Sequence, residues 1–276
     1  MIEGSTRKGA AFTIFLAIFR CMCYAEKEQK GEESVLKLLL IRHGDPDYEK
    51  ENLTEVGKRE AALLAERIAP MDITEYFVSP LGRAQATAAP TLEQAGRIAQ
   101  VCEWLQEFSP RIHRPDSERP RISWDWLPQD WLQDPRFLLP EAWKENEIFR
   151  EGGVGEEYDR VCAAFDALLA AHGYVRDGLL YRAERPNTET LAFFCHFGVS
   201  CVLMSHLMNS SPMPLWHGLC MAPSSVTVIY SEERRPGIAS FRASQVGDVS
   251  HLYAAGEEPS FAARFCEVYG NGDRID

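Results

Sequence analysis

The stretch Leu36-Lys-Leu-Leu-Leu-Ile41 runs directly into Arg42-His43-Gly44. A short apolar run of this kind reads as a strand buried on both faces, which requires a sheet with helices on either side. In open α/β sheets, ligands bind at the carboxyl ends of the strands. A hydrophobic strand that delivers an arginine and a histidine to that rim therefore constrains the fold and the site together. The same grammar recurs along the chain. Leu53 to Ile68 reads as a helix, with Thr54 as its N-cap and Val56, Leu63, Leu64 and Ile68 near one stripe. Tyr76-Phe-Val78 is a second short strand, and Leu191-Ala-Phe-Phe-Cys195 a third. Helices are expected at Arg83–Ala95, kinked or split at Pro90 and closed by Gly96, at Glu157–His172 and at Gly198–Met208. Further strand-like segments are Val101–Cys102, Ser225–Tyr230 and Ile238–Phe241. Strands alternating with helices predict a three-layer α/β/α fold with a central, mostly parallel sheet.

The chain has 276 residues, enough for one large or two small domains. Apolar types make up 45% and charged types 25%, which is globular composition and excludes disorder. Lys and Arg total 29 against 41 Asp and Glu, a balance of −12 that argues against a nucleic-acid partner. A few arginines can still make one cleft locally positive for an anionic small molecule. No apolar run reaches the roughly 18 residues of a membrane span. The eight cysteines, with no Cys-x-x-Cys, read as free thiols of a reducing compartment. None is followed six positions on by arginine, which excludes the Cys-x5-Arg phosphatase arrangement.

Two segments break the pattern. In residues 1–36, Arg7 and Lys8 precede the apolar stretch Ala10 to Phe19, a start that resembles a secretory signal with cleavage after Ala25. Arg20 interrupts it, so the expectation is a non-structural extension, with Met22 a candidate start, and a cytoplasmic protein. The domain proper is expected over 37–276. Within it, residues 109–156 hold six of the 16 prolines and four of the six tryptophans, Trp124, Trp126, Trp131 and Trp143. An insertion this long is either a lid over a binding site or a small sub-domain whose tryptophans fill a core. Its arginines Arg111, Arg114, Arg119 and Arg121 are candidates to meet a second anionic group.

Three strand ends converge on chemistry. The first yields Arg42 and His43. The second leads through Ser79-Pro80-Leu81-Gly82 to Arg83. The third ends in His196-Phe197-Gly198 at a helix start, where N–H groups suit an anion. Glu103 and Glu107 follow the fourth. A lone histidine after a strand is usually structural; the ordered set is what points to a site. The pieces LLLIRHG (38–44), LTEVG (53–57), SPLGRAQATA (79–88), EWLQEF (103–108) and FFCHFG (193–198) resemble the histidine phosphatase superfamily, the phosphoglycerate mutase-like clan. The resemblance spans about residues 37–255. It implies His43 as a nucleophile that becomes phosphorylated. It implies Arg42, Arg83 and His196 as the phosphate pocket, and Glu107, in preference to Glu103, as proton donor. It implies a small phosphate ester as substrate, with no metal and no cofactor. Cys195 is the rival nucleophile. Alternation along the strand turns it away from the side His196 faces.

Only eight residues, Asp45 to Asn52, separate Gly44 from Leu53, and they are acidic. Many mutases of the clan carry a longer stretch there, so the expected activity is that of a phosphomonoesterase. A mutase-type phosphotransferase and a non-catalytic phosphate-binding module are the alternatives. The sequence leaves the ester and the oligomeric state open.

Overall fold

The structure, a computed structural model, describes residues 34–260; the extension expected over 1–36 lies outside the described residues except for its last three. Eight strands form one sheet. In chain order they are β1 (Lys37–Arg42), β2 (Glu75–Val78), β3 (Gln100–Val101), β4 (Tyr174–Asp177), β5 (Leu180–Ala183), β6 (Thr190–Cys195), β7 (Val226–Arg235) and β8 (Ile238–Asp248). Their spatial order is β3-β2-β6-β1-β7-β8-β5-β4. The half that bears the candidate site, β3, β2, β6 and β1, is parallel throughout. From β1 outward the remaining strands are antiparallel. The expected α/β/α architecture is found, with its parallel core in that half.

Side chains alternate across a strand, so each central strand feeds two cores. Leu39 and Ile41 of β1, with Ala192 and Phe194 of β6, pack on one face against Leu64 and Ile68 of α1 (Glu55–Ile68) and Ala84 and Ala88 of α2 (Gly82–Ala95). Leu38, Leu40, Leu191 and Phe193 pack on the other face. There they meet Val161, Phe165 and Leu169 of α3 (Val154–Ala171) and Val199, Val202 and Leu203 of α4 (Phe197–Met208). Thr54 caps α1 as expected, accepting from Gly57 N. The buried face of α1 differs from the expected stripe. It consists of Gly57, Glu60, Ala61, Leu64, Ala65 and Ile68, and Val56 is exposed, because the helix lies close enough to its neighbours to favour small residues. Helix α2 runs through Pro90 and ends at Gly96, which takes the left-handed conformation.

The insertion is a short hairpin, Arg111–Ile112 with Arg121–Ile122, followed by single helical turns. Trp124, Trp126, Trp131 and Trp143 are all buried, and with Phe137 and Phe149 they extend the main core on the α3–α4 side. Trp143 meets Tyr158 of α3 edge-to-face at 5.0 Å. The core-filling role of these tryptophans is realised, though as an outgrowth of the main core. No helix among the described residues is long and apolar enough to cross a membrane.

Two further histidines pack in this framework. His217 lies against Trp131 at 5.5 Å, tilted by 35°, and its pKa is lowered to about 4 by burial and then by Arg114. His251 bonds the Ser224 hydroxyl at 3.0 Å, and its pKa is also lowered to about 4, by burial and then by Arg67. The unfolded chain protonates such residues near 6.5, the fold only near 4. Their contribution is therefore intact above pH 6.5 and is lost progressively down to pH 4. At pH 5 each should have cost about 2 kcal/mol of stability. The expected outcome is a denaturation midpoint that falls steadily from pH 7 to pH 5; His251→Gln should flatten that slope.

Candidate active site

Register brings the strand ends level. Arg42 of β1 pairs with Cys195 of β6, and Val78 of β2 with Phe194. The next main-chain bonds, His43 N to Cys195 O at 3.1 Å and Ser79 N to Phe194 O at 2.9 Å, continue the ladder past the strands. His43, Ser79 and His196 therefore leave the sheet at one height. The imidazoles of His43 and His196 lie 5.1 Å apart, tilted by 58°. Arg83 enters from the first turn of α2 and is 8% exposed, and Arg42 is 3% exposed. Glu107 arrives after a single turn, Glu103–Leu105, that follows β3. The five residues singled out in the sequence come together. Glu103 stays at the surface, bonded by Gln106, and takes no part.

The loop after β1 is fixed by close backbone contact. A Cβ on Gly44 would lie 2.7 Å from Gly57 O, and one on Gly57 would lie 2.2 Å from Asp45 O. Only paired glycines let the start of α1 press against the residues after His43. The Gly44 N–H donates to the Thr87 hydroxyl of α2 at 2.9 Å, and Thr54 N to Asp45 O at 3.0 Å. From the other side, Ser224 N donates to His43 O and Arg42 N to Ser225 O, both at 3.0 Å, and Arg42 Nη1 donates to Met221 O.

This packing sets the state of each ring. His43 Nδ1 lies 2.7 Å from Gly44 O, an oxygen that can only accept, so Nδ1 carries the hydrogen and Nε2 keeps its lone pair. Burial, then Arg42, then Arg83 hold the pKa of His43 well below 6.5. Burial, then His43 and the two arginines do the same for His196. His196 Nε2 is 2.8 Å from the Ser79 hydroxyl, while its Nδ1 is buried with no hydrogen-bond partner. Glu107 Oε1 accepts from Phe108 N at 2.8 Å and from Val199 N, in the first turn of α4, at 3.1 Å. Burial raises its pKa, against the lowering effect of those N–H bonds and of the two arginines. A carboxyl that can hold a proton thus stands near a neutral imidazole and two guanidinium groups. Cys195 lies in the core under the site, 3.3 Å from the Ser200 hydroxyl, and burial pushes its thiol up to about 12. That is no nucleophile at neutral pH.

Sequence reasoning overlooked two contributors. Ser79 stood inside a quoted motif, and its position as the last residue before a proline at a strand end was the available signal. The 221–225 segment acts through main-chain groups, which leave no trace in residue type.

The parallel strands of this α/β sheet thus end together beside two guanidinium groups, two neutral imidazoles and an acid. The chain belongs to the histidine phosphatase superfamily (branch 1), whose family model matches residues 38–244. It is 42% identical over 67 residues to a probable phosphatase of Schizosaccharomyces pombe, covering 21% of this chain and 32% of that protein. It is 33% identical over 91 residues to a probable phosphoglycerate mutase of Cronobacter sakazakii, covering 30% of this chain and 39% of that one. The chain thus matches about a third of the length of these curated relatives. Among solved structures it is similar to a variant phosphoserine phosphatase from Entamoeba histolytica in complex with phosphoserine (TM-score 0.53, 18% identity, 79% of this chain and 99% of that one). It is also similar to a mycobacterial glucosyl-3-phosphoglycerate phosphatase in complex with VO3 (TM-score 0.50, 20% identity, 76% and 98%). At these identities the likeness is one of fold.

Gly198 packs closely on the acid: a Cβ there would lie 2.6 Å from Glu107 Oε1 and 2.8 Å from Trp124 Nε1. Gly198→Ala forces the Glu107 carboxyl or the Trp124 ring to shift, and on the expectation that Glu107 is the proton donor, a displacement near 1 Å costs on the order of a hundredfold in rate. Phosphate release by Gly198→Ala should fall by about that factor through kcat, with a melting temperature within a few degrees of the parent.

Proposed function

We propose that the chain hydrolyses phosphate monoesters of small molecules through a phosphohistidine on His43. We assign the activity to the domain over residues 37–276, with 109–156 as its insertion. The observation that carries this reading is the ring state of His43. Its Nδ1–H is committed to Gly44 O, and its Nε2 lone pair stands among groups that favour an anion. Phosphoryl transfer asks for positioning and charge stabilisation, and two guanidinium forks match phosphate oxygens. His196 completes the cradle. Ser79 Oγ accepts from Leu81 N at 3.2 Å and can donate its own hydrogen to His196 Nε2. The proton of that ring then resides on Nδ1, the atom left to bond a phosphate oxygen.

In the first step His43 Nε2 attacks phosphorus and the bond to the ester oxygen breaks. The Glu107 carboxyl hands its proton to the departing oxygen, and the alcohol leaves. In the second step water attacks the phosphohistidine while the Glu107 carboxylate takes a proton from it. The N–P bond breaks, its electron pair returns to Nε2, and inorganic phosphate is released. Arg42 and Arg83 balance the phosphate charge in both steps and His196 donates to one of its oxygens, so the reaction as written uses no metal. A mutase would instead return the phosphoryl group to a phosphorylated acid held in two orientations, which the short acidic loop after β1 disfavours.

The test is phosphate release from p-nitrophenyl phosphate and from an alkyl phosphate, in the presence of a chelator. His43→Ala should abolish turnover of both, and rapid acid-free quenching of the wild type should trap a phosphoryl group on His43. Glu107→Gln should lower kcat about 10²–10⁴-fold for the alkyl ester and less for p-nitrophenyl phosphate, whose leaving group needs no proton. Interconversion of phosphoglycerates after priming with a bisphosphate would favour the mutase. Phosphate binding without turnover would favour a non-catalytic module.

A further inference from the structure

The loop from Asp45 to Asn52 carries Asp45, Asp47, Glu49 and Glu51 against Lys50, a balance of 1 − 4 = −3. Part of this charge serves the loop itself. Asp45 accepts from the hydroxyls of Thr54 at 2.6 Å and Ser260 at 3.0 Å, and Asp47 pairs with Lys50 at 2.7 Å. Glu51 does something else. Its carboxylate is 3.6 Å from Arg83 Nη1, and the Tyr48 ring lies 5.4 Å from the same guanidinium. The Arg83 side chain is 10% exposed and that of Glu51 65%, so the pair runs from the pocket to the water at its mouth. Inside, Arg83 Nε is buried with no hydrogen-bond partner, a donor still waiting for an acceptor.

The position of Glu51 is held by its backbone. Its φ is 51°, in the left-handed region, and a Cβ on Gly82 at the start of α2 would lie 2.1 Å from Glu51 O. The first turn that presents Arg83 is thus pressed onto the peptide that presents Glu51. Of the insertion's arginines, Arg114 has its charge matched locally by carboxylates, Asp116 at 2.8 Å and Asp125 at 3.6 Å. Arg121 and Arg111 bond neutral oxygens, the Ser117 hydroxyl and Pro120 O, each at 3.3 Å.

We propose that Glu51, placed beside Tyr48 over Arg83, is a specificity-determining residue that selects phosphate monoesters of neutral or cationic alcohols over those of carboxylic acids. The proposal rests on the phosphatase reading above. A phosphate group bound to Arg83 directs the rest of its ester outward past Glu51. A second anion there meets a fixed negative charge within a few ångströms of its path, and an amine meets an attractive one. At the effective dielectric of a protein surface, one such charge changes relative affinity by roughly five- to tenfold.

The experiment compares kcat/KM for phosphoethanolamine, p-nitrophenyl phosphate and 3-phosphoglycerate in wild type, Glu51→Gln and Glu51→Asp, at low and high salt. The wild type should favour phosphoethanolamine over 3-phosphoglycerate, and high salt should shrink the preference. Glu51→Gln should raise kcat/KM for 3-phosphoglycerate about five- to tenfold, mainly through KM, and lower it for phosphoethanolamine. Glu51→Asp, which keeps the charge, should keep the wild-type order. If Glu51→Gln left the ratio of the two esters unchanged while p-nitrophenyl phosphate was still hydrolysed, the inference on Glu51 would be overturned and the phosphatase reading would stand. Absence of turnover with all three esters would overturn both.

Discussion

Two arginine side chains buried beside two imidazoles set the terms for everything around them. A guanidinium cannot shed its charge, so whatever shares its pocket must adapt. Arg42 and Arg83 help to hold the pKa values of His43 and His196 well below the usual histidine range. The same charges act downward on the Glu107 carboxyl, against its burial. The cationic pair survives burial because each member has acceptors at its ends: Met221 O for Arg42, Glu51 at the mouth for Arg83. An oxyanion fits the remaining deficit, and with it the two neutral rings that offer one donor and one lone pair.

That arrangement depends in turn on three strands ending at one height. Parallel pairing fixes Arg42 opposite Cys195 and Val78 opposite Phe194. A slip of one residue in either pairing would turn a site side chain into the core and a core side chain into the site. The slip is opposed because it would draw the charged and polar rim residues that follow β1 and β6 into the apolar interior on either face. The same burial that makes the sheet legible as sequence therefore positions the chemistry.

This is why the centre of the protein could be read directly and its periphery could not. The run Leu36 to Ile41 is apolar because both faces are covered, and the first polar residues after it must lie at the rim. Arg42, His43 and His196 followed from that rule. Arg83 and Glu107 were reached from the strand ends before them, but the choice of Glu107 over Glu103 needed the resemblance to a family, because each lies beyond its strand, where periodicity carries no information about direction. Val56 was misplaced because α1 packs through Gly57, Ala61 and Ala65, whose small size reads as weak hydrophobicity although it reflects close approach. Pro90 was expected to disturb α2, yet a missing N–H in one turn does not outweigh a face buried at Ala84, Thr87, Ala88 and Thr91. The contacts of Ser224 and Met221 with His43 and Arg42 are main-chain contacts, invisible to any reading of residue types.

Glu107 shows how the parts act on one another. One of its oxygens is held by Phe108 N and Val199 N, so the carboxyl is anchored to the first turn of the helix that follows His196. In the proposed reaction, a phosphate dianion entering the pocket neutralises Arg42 and Arg83, the two charges that favour the ionised carboxylate. With their influence offset, the burial that raises the pKa of Glu107 prevails and the carboxyl gains its proton. Substrate binding would then itself load the acid that the leaving oxygen needs. The departing alcohol takes that proton away and leaves a carboxylate facing phosphohistidine, the form required to activate water. On this proposal a single carboxyl serves both half-reactions because the charge it responds to is that of the substrate.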